Sequence, residues 1–304
     1  MNQKPVVSIV FVNYNSTGFL RRALVSLERS EPDLNKEVIV VDNYSRDREA
    51  VKDLCRSYHC RLVLLKKNRG YGAGANRGFY YSGGDFVAVV NPDIEFTPES
   101  LSTLISFMED NPRVGVVAPQ LLYPDKTPQP SSRRLPKLRY ILAGRRSLLL
   151  RIFPRYPLAR EFLYTDVLHR AEPVEVEAVI GTFMLFRRNA FNSVGGFDEG
   201  YFMFAEDLDI CQRLREKGWH VYLTPGVKIT HYYGGVRRRW RRFTEFHRIK
   251  GLYRFFTRGK GNLTRMFYTI AFASYLFILE GAGIVGLSEY EYSWRFPDKK
   301  YEKS

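Results

Sequence analysis

The first third of the chain repeats one unit: a short apolar run, a polar cluster, then a helical pattern. VVSIVFV (Val6 to Val12) has the unbroken hydrophobicity of a buried parallel strand, and Leu20, Leu24 and Leu27 follow at helical spacing. VIVVD (Val38 to Asp42), RLVLL (Arg61 to Leu65) and DFVAVV (Asp85 to Val90) read as three more strands. Strands alternating with helices specify an α/β fold, a mostly parallel central sheet with helices on both faces. In such sheets ligands bind beyond the carboxyl ends of the strands. Every strand here ends in polar residues: Asn13, Tyr14 and Asn15, then Asp42 and Asn43, then Asn68 to Gly74, then Asn91 to Asp93.

A helix is expected over Pro98 to Asn111 and a strand over Val114 to Ala118, followed by a proline- and arginine-rich stretch without regular structure to about Pro136. Tyr140 to Ile152 has the pattern of a short helix. EVEAVIGTFMLFRR resumes the sheet, AEDLDICQRLREKGW is helical and HVYLTP is the last strand. Aromatic-rich helical sequence then runs to about Leu287. These features divide the chain into a domain of residues 1–235 and a C-terminal helical appendage of residues 236–304.

The chain has 304 residues, 45% of them hydrophobic and 26% charged, which excludes wholesale disorder. Its net charge of +15 is concentrated. Residues 133–160 carry nine basic and no acidic side chains, and residues 231–265 carry eleven basic and one acidic. With Trp240 and many Phe and Tyr residues, the second stretch suits an anionic membrane surface. A nucleic-acid partner is not expected, because no recognition module accompanies the basic clusters and they avoid the strand-end motifs. Met266 to Leu279 is an apolar run too short for a convincing span, so a buried or interfacial helix is expected. Three cysteines without metal spacing and a polar N-terminus point to the cytoplasm, with peripheral attachment at the inner face of the membrane.

Individual motifs admit two readings each. Asp42 suits a hydrogen bond from a nucleotide imide or hydroxyl, or a helix cap. The run from Asn68 to Gly78, with Gly70, Gly72, Gly74, Asn76 and Arg77, either admits a ligand close to the backbone at a helix start or forms a flexible turn. Asn91-Pro92-Asp93 is either a site for a hard cation completed by substrate phosphates or an Asx-Pro turn. Glu206, Asp207 and Asp209 open a helix, where acids complement the dipole. The apolar Tyr201 to Phe204 just before them would also raise a carboxyl pKa toward that of a general base. His231 is either a packed histidine or a second metal ligand. Arg133 and Arg134 could hold acceptor phosphates.

Taken together, VVSIVFVNYN, VIVVDNYS, NRGYGAGANRG, NPDIEFTPE, EAVIGTFMLFRRNAF, GGFDEGYFMFAEDLDICQRL and ITHYYGG resemble the inverting family 2 glycosyltransferases of GT-A fold, in the rhamnosyltransferase-like subgroup. The resemblance implies transfer of a sugar from a nucleotide-diphospho sugar, with dTDP-L-rhamnose the expected donor, to a glycan or polyprenyl-linked acceptor. UDP- or GDP-hexose transfer on the same fold is one alternative, and a basic nucleic-acid-binding protein is the alternative of another class. The resemblance further implies a base contact at Asp42 with Asn13 and Asn15 nearby, a donor-lining loop from Gly70 to Arg77, and Mg²⁺ or Mn²⁺ on Asp93 and His231. Asn91 stands where the family's metal motif has its first acid. Asp207 would be the catalytic base, with Glu206 its neighbour and Asp209 a helix or acceptor-side acid.

Overall fold

In the computed structural model of the protein, residues 6–137, 170–232 and 241–281 are described, together with Tyr140, Glu161, Tyr164 and Val167. The strands β1 (Val7–Asn13), β2 (Lys36–Asp42), β3 (Arg61–Leu64) and β4 (Phe86–Val90) form the expected parallel array. Between them run α1 (Thr17–Ser30), α2 (Arg48–Ser57) and α3 (Tyr71–Tyr80). Every residue of β1 and β4 is buried, as their unbroken hydrophobicity requires of strands covered on both faces.

Beyond β4 come β5 (Ile94–Glu95), α4 (Ser100–Asp110), β6 (Val114–Leu122), β7 (Ser132–Arg133), β8 (Val174–Glu175), β9 (Ala178–Val179), β10 (Phe183–Arg187), α5 (Arg188–Ser193), α6 (Glu206–Glu216), β11 (His220–His231), α7 (Arg241–Thr257) and α8 (Asn262–Gly281). The main sheet has the order β3-β2-β1-β4-β10-β6-β11-β5, with β8 on β11. This is the GT-A arrangement: the long strands pair mostly parallel, the two-residue β5 and β8 join β11 antiparallel, and one antiparallel strand is inserted inside the sheet. β10 enters antiparallel between β4 and β6, Phe183 opposite Val90 and Arg187 opposite Phe86. Its first residue therefore lies at the carboxyl end of its neighbour, where ligands bind.

Two strands run longer than their apolar cores suggest. β6 continues past Ala118 through Pro119 to Leu122, and β11 continues past Pro225 and Gly226 to His231. Register slips between Thr224 and Lys228, so the bulge absorbs the proline and glycine without ending the pairing. The stretch expected to be irregular contributes the two-residue strand β7, paired with β9. The helix expected over Tyr140 to Ile152 and the basic cluster Arg237 to Arg242 lie almost wholly outside the described residues.

The chain divides into two units, residues 1–135 with 163–252, and 136–162 with 253–304. In the first, α3 lies against β1 at van der Waals distance because its glycines lack side chains. A Cβ on Gly74 would stand 2.6 Å from Val12 Cγ1, and one on Gly78 2.2 Å from Val10 Cγ1. In the second unit, Phe256 stacks on Tyr268 with centroids 5.0 Å apart and Tyr253 bonds Thr269 at 2.9 Å. There α8 exposes Leu263, Met266, Phe267 and Ile270 at helical spacing. Among the described residues, no helix is long and apolar enough to cross a membrane.

Alanine at position 78 would gain helix propensity but collide with the fully buried, stiff Val10. Gly78→Ala is expected to lower stability by about 1–3 kcal/mol, measured by urea denaturation.

Candidate active site

Three groups of predicted residues assemble at the carboxyl edge of the sheet. At the ends of β1 and β2, Asn13 Nδ2 donates to Asp42 Oδ1 at 3.2 Å and to Ser45 Oγ at 3.1 Å. Asp42 Oδ2 accepts from the Ser45 amide at 3.1 Å and from Arg48 Nε at 3.2 Å. Asp42 is thus a buried carboxylate held by its own turn and by α2. Asn15 accepts from the Arg46 amide at 2.8 Å, and the exposed Tyr14 and Tyr44 stand at the same edge. Arg48 stacks over Tyr44 at 4.7 Å. Ser45, Tyr44 and Arg48 were not legible as site residues, because the strand-end pattern stops at Asn43.

The glycine-rich run is braced at its start and helical from Tyr71 on, and is not a flexible turn. Asn43 Nδ2 donates to the Gly70 carbonyl at 2.9 Å and its Oδ1 accepts from the Arg69 amide at 3.0 Å. Gly70 has φ of +90°, and a Cβ there would lie 2.2 Å from the Phe202 carbonyl oxygen, so glycine is required twice over. Gly72 abuts Phe197 in the same way, at 3.0 Å. Asn76 clasps the Phe197 backbone, accepting from its amide and donating to its carbonyl, both at 2.9 Å. Arg77 stacks on Tyr80 and Tyr81 at 5.2 and 4.9 Å.

The second group joins β4, β5 and β11. β11 ends at His231, which pairs with Ile94 and so meets Asp93. His231 Nε2 is 3.4 Å from Asp93 Oδ2. Gln129 Nε2 donates to the carbonyls of Leu122 and His231 at 3.2 and 3.0 Å, which leaves its Oε1 facing His231 Nδ1 at 2.8 Å. That oxygen can only accept, so Nδ1 carries a proton, and Nε2 is the ring nitrogen that faces Asp93. Asp93 Oδ1 is buried with no hydrogen-bond partner among the described residues. An orphaned carboxylate oxygen beside an imidazole nitrogen fits a divalent cation. Among the described residues, no cluster of three or more His, Cys, Asp or Glu side chains could hold one, so these two donors would need substrate oxygens to complete the shell.

The third group surrounds the start of α6. Phe204 and Ala205 both have positive φ, 66° and 69°, immediately before it. That strained backbone is held by packing: a Cβ on Gly251 of α7 would come within 2.5 Å of the Phe204 carbonyl oxygen, and His247 of α7 lies 4.6 Å from the Phe202 ring. Asp207 Oδ2 accepts from the Gly181 amide at 3.0 Å and Oδ1 from the Leu208 amide at 2.9 Å. Asp209 is buried and bonded to Arg213 Nε at 2.8 Å and the Tyr201 hydroxyl at 3.3 Å. Burial, then the neighbouring Asp207, pushes the Glu206 carboxyl up to about 8. Arg133, from β7, offsets part of that rise, while Arg134 pairs with Glu177 at 3.0 Å and stacks on Tyr164 at 4.5 Å.

Tyr71, unmarked among the glycines, ties these groups together. Its hydroxyl donates to the Gly181 carbonyl at 2.7 Å, and burial, then Glu206, Asp207 and Asp93, raise its pKa. The first residue of α3 thus lies in the field of acids from both sides of the site.

Comparison with known proteins agrees with this architecture. The Glycosyl transferase family 2 model matches residues 8–195, and the Glycosyl transferase family group 2 model matches residues 158–289. The chain belongs to glycosyltransferase family 2. It is 33% identical over 240 residues to the N-acetylglucosaminyl-diphospho-decaprenol L-rhamnosyltransferase of Mycobacterium tuberculosis, covering 75% of this chain and 76% of that one. It is 27% identical over 237 residues to the rhamnosyltransferase WbbL of Escherichia coli K12, covering 75% and 83%. This glycosyltransferase is therefore rhamnosyltransferase-like. Its fold is similar to that of the mannosyltransferase PcManGT from Pyrobaculum calidifontis in complex with GDP-Man and Mn²⁺, with TM-score 0.57, 17% identity and coverage of 94% and 79%. GalNAc-T7 with UDP, GalNAc and Mn²⁺ matches with TM-score 0.56 and 13% identity, over 76% of this chain and 44% of that one.

Glu206 generates a prediction with a definite sign. Its folded pKa of about 8 lies above the ordinary 4.5, so the folded state holds the proton more tightly and rising pH between those values removes stability. Below that window both states are protonated and nothing is lost. Glu206→Gln escapes the loss. Its stability relative to the native protein should rise from about pH 5 to about pH 8 by on the order of 1–3 kcal/mol, read by urea denaturation at both values.

Proposed function

We propose that the protein transfers L-rhamnose from dTDP-L-rhamnose, with inversion, to a lipid-linked or cell-surface glycan acceptor. The observation that carries this reading is the pairing of a fixed carboxylate, Asp207, with the orphaned oxygen of Asp93 beside His231. One can take a proton and the other can hold a cation against a diphosphate. The rhamnosyltransferase relatives support the choice of sugar, and the polyprenyl-linked substrate in one relative's name supports that class of acceptor.

In this reading the thymine and ribose lie against Asp42, Asn13, Asn15 and Asn43, with Tyr14 and Tyr44 at the rim. The segment from Gly70 to Arg77, the N-cap and first turns of α3, lines the donor, its glycines letting the helix close on β1 and on the Phe197 to Phe204 segment. The acceptor hydroxyl gives its proton to Asp207 as its oxygen bonds to the anomeric carbon. The bond from that carbon to the β-phosphate oxygen breaks on the opposite face, so configuration inverts and no covalent enzyme intermediate forms. Asp93 and His231 would hold a divalent cation whose charge stabilises the departing diphosphate. An imidazole among the donors favours Mn²⁺ over Mg²⁺, which prefers an all-oxygen shell. Glu206 stays protonated at neutral pH and leaves Asp207 to act as the anionic base. Arg133 and Arg134 border the acceptor side, while Asp209 braces α6.

The α8 face of Leu263, Met266, Phe267 and Ile270 supports peripheral attachment to an anionic membrane surface, with Arg258, Lys260 and Arg265 in the same stretch to meet the headgroups. On this reading catalysis takes place at the cytoplasmic face, where a lipid-linked acceptor is presented.

Asp207→Asn should retain the rise in Tm given by dTDP-rhamnose with Mn²⁺ and lose transfer by about 10³-fold. Comparable Tm shifts from UDP- or GDP-sugars would reassign the donor. Substituting Leu263, Met266, Phe267 and Ile270 together by serine should reduce co-sedimentation with phosphatidylglycerol vesicles while leaving turnover of a soluble acceptor analogue unchanged.

A further inference from the structure

Tyr71 has a place in the reaction that the glycine motif around it conceals. Its amide donates to the Phe202 carbonyl at 3.0 Å, and its ring meets Phe197 edge-on with centroids 6.2 Å apart. Both contacts fix the ring between the donor-side loop and the segment leading into α6. The side chain then has one polar atom to satisfy. Its hydroxyl donates to the Gly181 carbonyl at 2.7 Å.

Gly181 is the residue whose amide donates to Asp207 Oδ2 at 3.0 Å. It sits in a short turn between β9 and β10, with no side chain of its own to hold it. The flanking residues are tied elsewhere: the Ile180 amide donates to the Ser131 carbonyl at 3.1 Å, and the Thr182 carbonyl accepts from the Asn91 amide at 2.9 Å. The carbonyl of Gly181 is thus oriented by Tyr71, and the amide of the same glycine orients the Asp207 carboxylate. A glycine has wide φ/ψ freedom, so a pin on its carbonyl limits rotation of the turn that carries its amide. The Leu208 amide holds the other oxygen, Oδ1, at 2.9 Å, and the Gly181 amide supplies the second point that fixes a terminal torsion broad in aspartate.

We propose that Tyr71 is the positioning residue for Asp207: through Gly181 its hydroxyl holds the carboxylate in the orientation that receives the acceptor proton. This rests on the reading of Asp207 as the base. The phenol is suited to the task, since burial and the surrounding Glu206, Asp207 and Asp93 hold it protonated and therefore a donor. Supporting groups that orient a reacting side chain typically alter turnover without altering ground-state binding.

The test is Tyr71→Phe in the full chain, assayed with dTDP-rhamnose, Mn²⁺ and an acceptor analogue, alongside Asp207→Asn. The expected result is a fall in kcat of about ten- to a hundredfold with the donor KM and the donor-induced Tm shift within about twofold of the native protein. A native kcat, or a loss confined to donor KM, overturns the proposal. If Asp207→Asn itself turns over at the native rate, the base assignment fails; if it is inactive while Tyr71→Phe is native, the positioning role alone fails. Should Tyr71→Phe not fold, 4-aminophenylalanine at position 71 keeps the ring and a neutral N–H donor for the Gly181 carbonyl. Its kcat should stay within about tenfold of native at unchanged donor KM, and a kcat as low as that of Asp207→Asn overturns the proposal.

Discussion

One antiparallel strand organises the site. If β10 ran parallel to β4 and β6, its amino end would lie at the far edge of the sheet, away from Asp42 and Asp93. Because it runs the other way, Phe183 faces Val90 and the Gly181-Thr182 turn arrives beside Asn91. That turn presents an amide to Asp207 and a carbonyl to Tyr71. The same reversal lets α6 begin over the carboxyl edge rather than behind the sheet. Tyr71 of α3 and Asp207 of α6 therefore meet across backbone groups at the start of one inserted strand, whose side chains Phe183, Leu185 and Phe186 are buried in the core.

The second constraint is close packing without side chains. Gly70, Gly74 and Gly78 recur every four residues along one face of α3, and each would place a Cβ within 2.6 Å of another segment. The helix start is pressed onto the Phe202 carbonyl and its body onto Val10 and Val12 of β1. A motif that reads as permissive for a ligand is thus also required for the helix to reach its place. Both demands fall on the same residues, and the glycines meet them together: removing the side chain at Gly70 allows a positive φ and a contact that no larger residue permits.

How much of this the sequence reveals depends on the range of the interaction. The parallel strands and their polar ends were legible because hydrophobicity and strand boundaries are local properties. So was the presence of acids at the start of α6. The brace on each group was not, because it comes from residues far along the chain: Gln129 on His231, Gly181 on Asp207, Tyr71 on Gly181. The lengths of β6 and β11 were also underestimated, since Pro119, Pro225 and Gly226 signal an end that pairing across a bulge overrides. Asp209 illustrates the converse: two residues from Asp207 in sequence, it is turned by helical geometry onto Tyr201 and Arg213 instead.

Charge follows the same rule. Summing over long segments makes the first part of the chain look neutral, yet residues 61–77 carry five basic and no acidic side chains. β3 is the terminal strand of the sheet, and Arg61, Lys66, Lys67, Arg69 and Arg77 line a groove of about 870 Å³ along it, opposed by Glu199. The acids that balance them in the sum lie on other elements, and the nearest of them, Asp42 on the neighbouring β2, is buried against Asn13, Ser45 and Arg48 and does not line the groove. Exposed charge at an edge strand also discourages pairing with another chain's sheet. A net charge is therefore informative about a surface only after the fold has shown which residues share it. By that criterion the basic character of this protein extends onto its glycosyltransferase fold, beside the helix that Tyr71 opens.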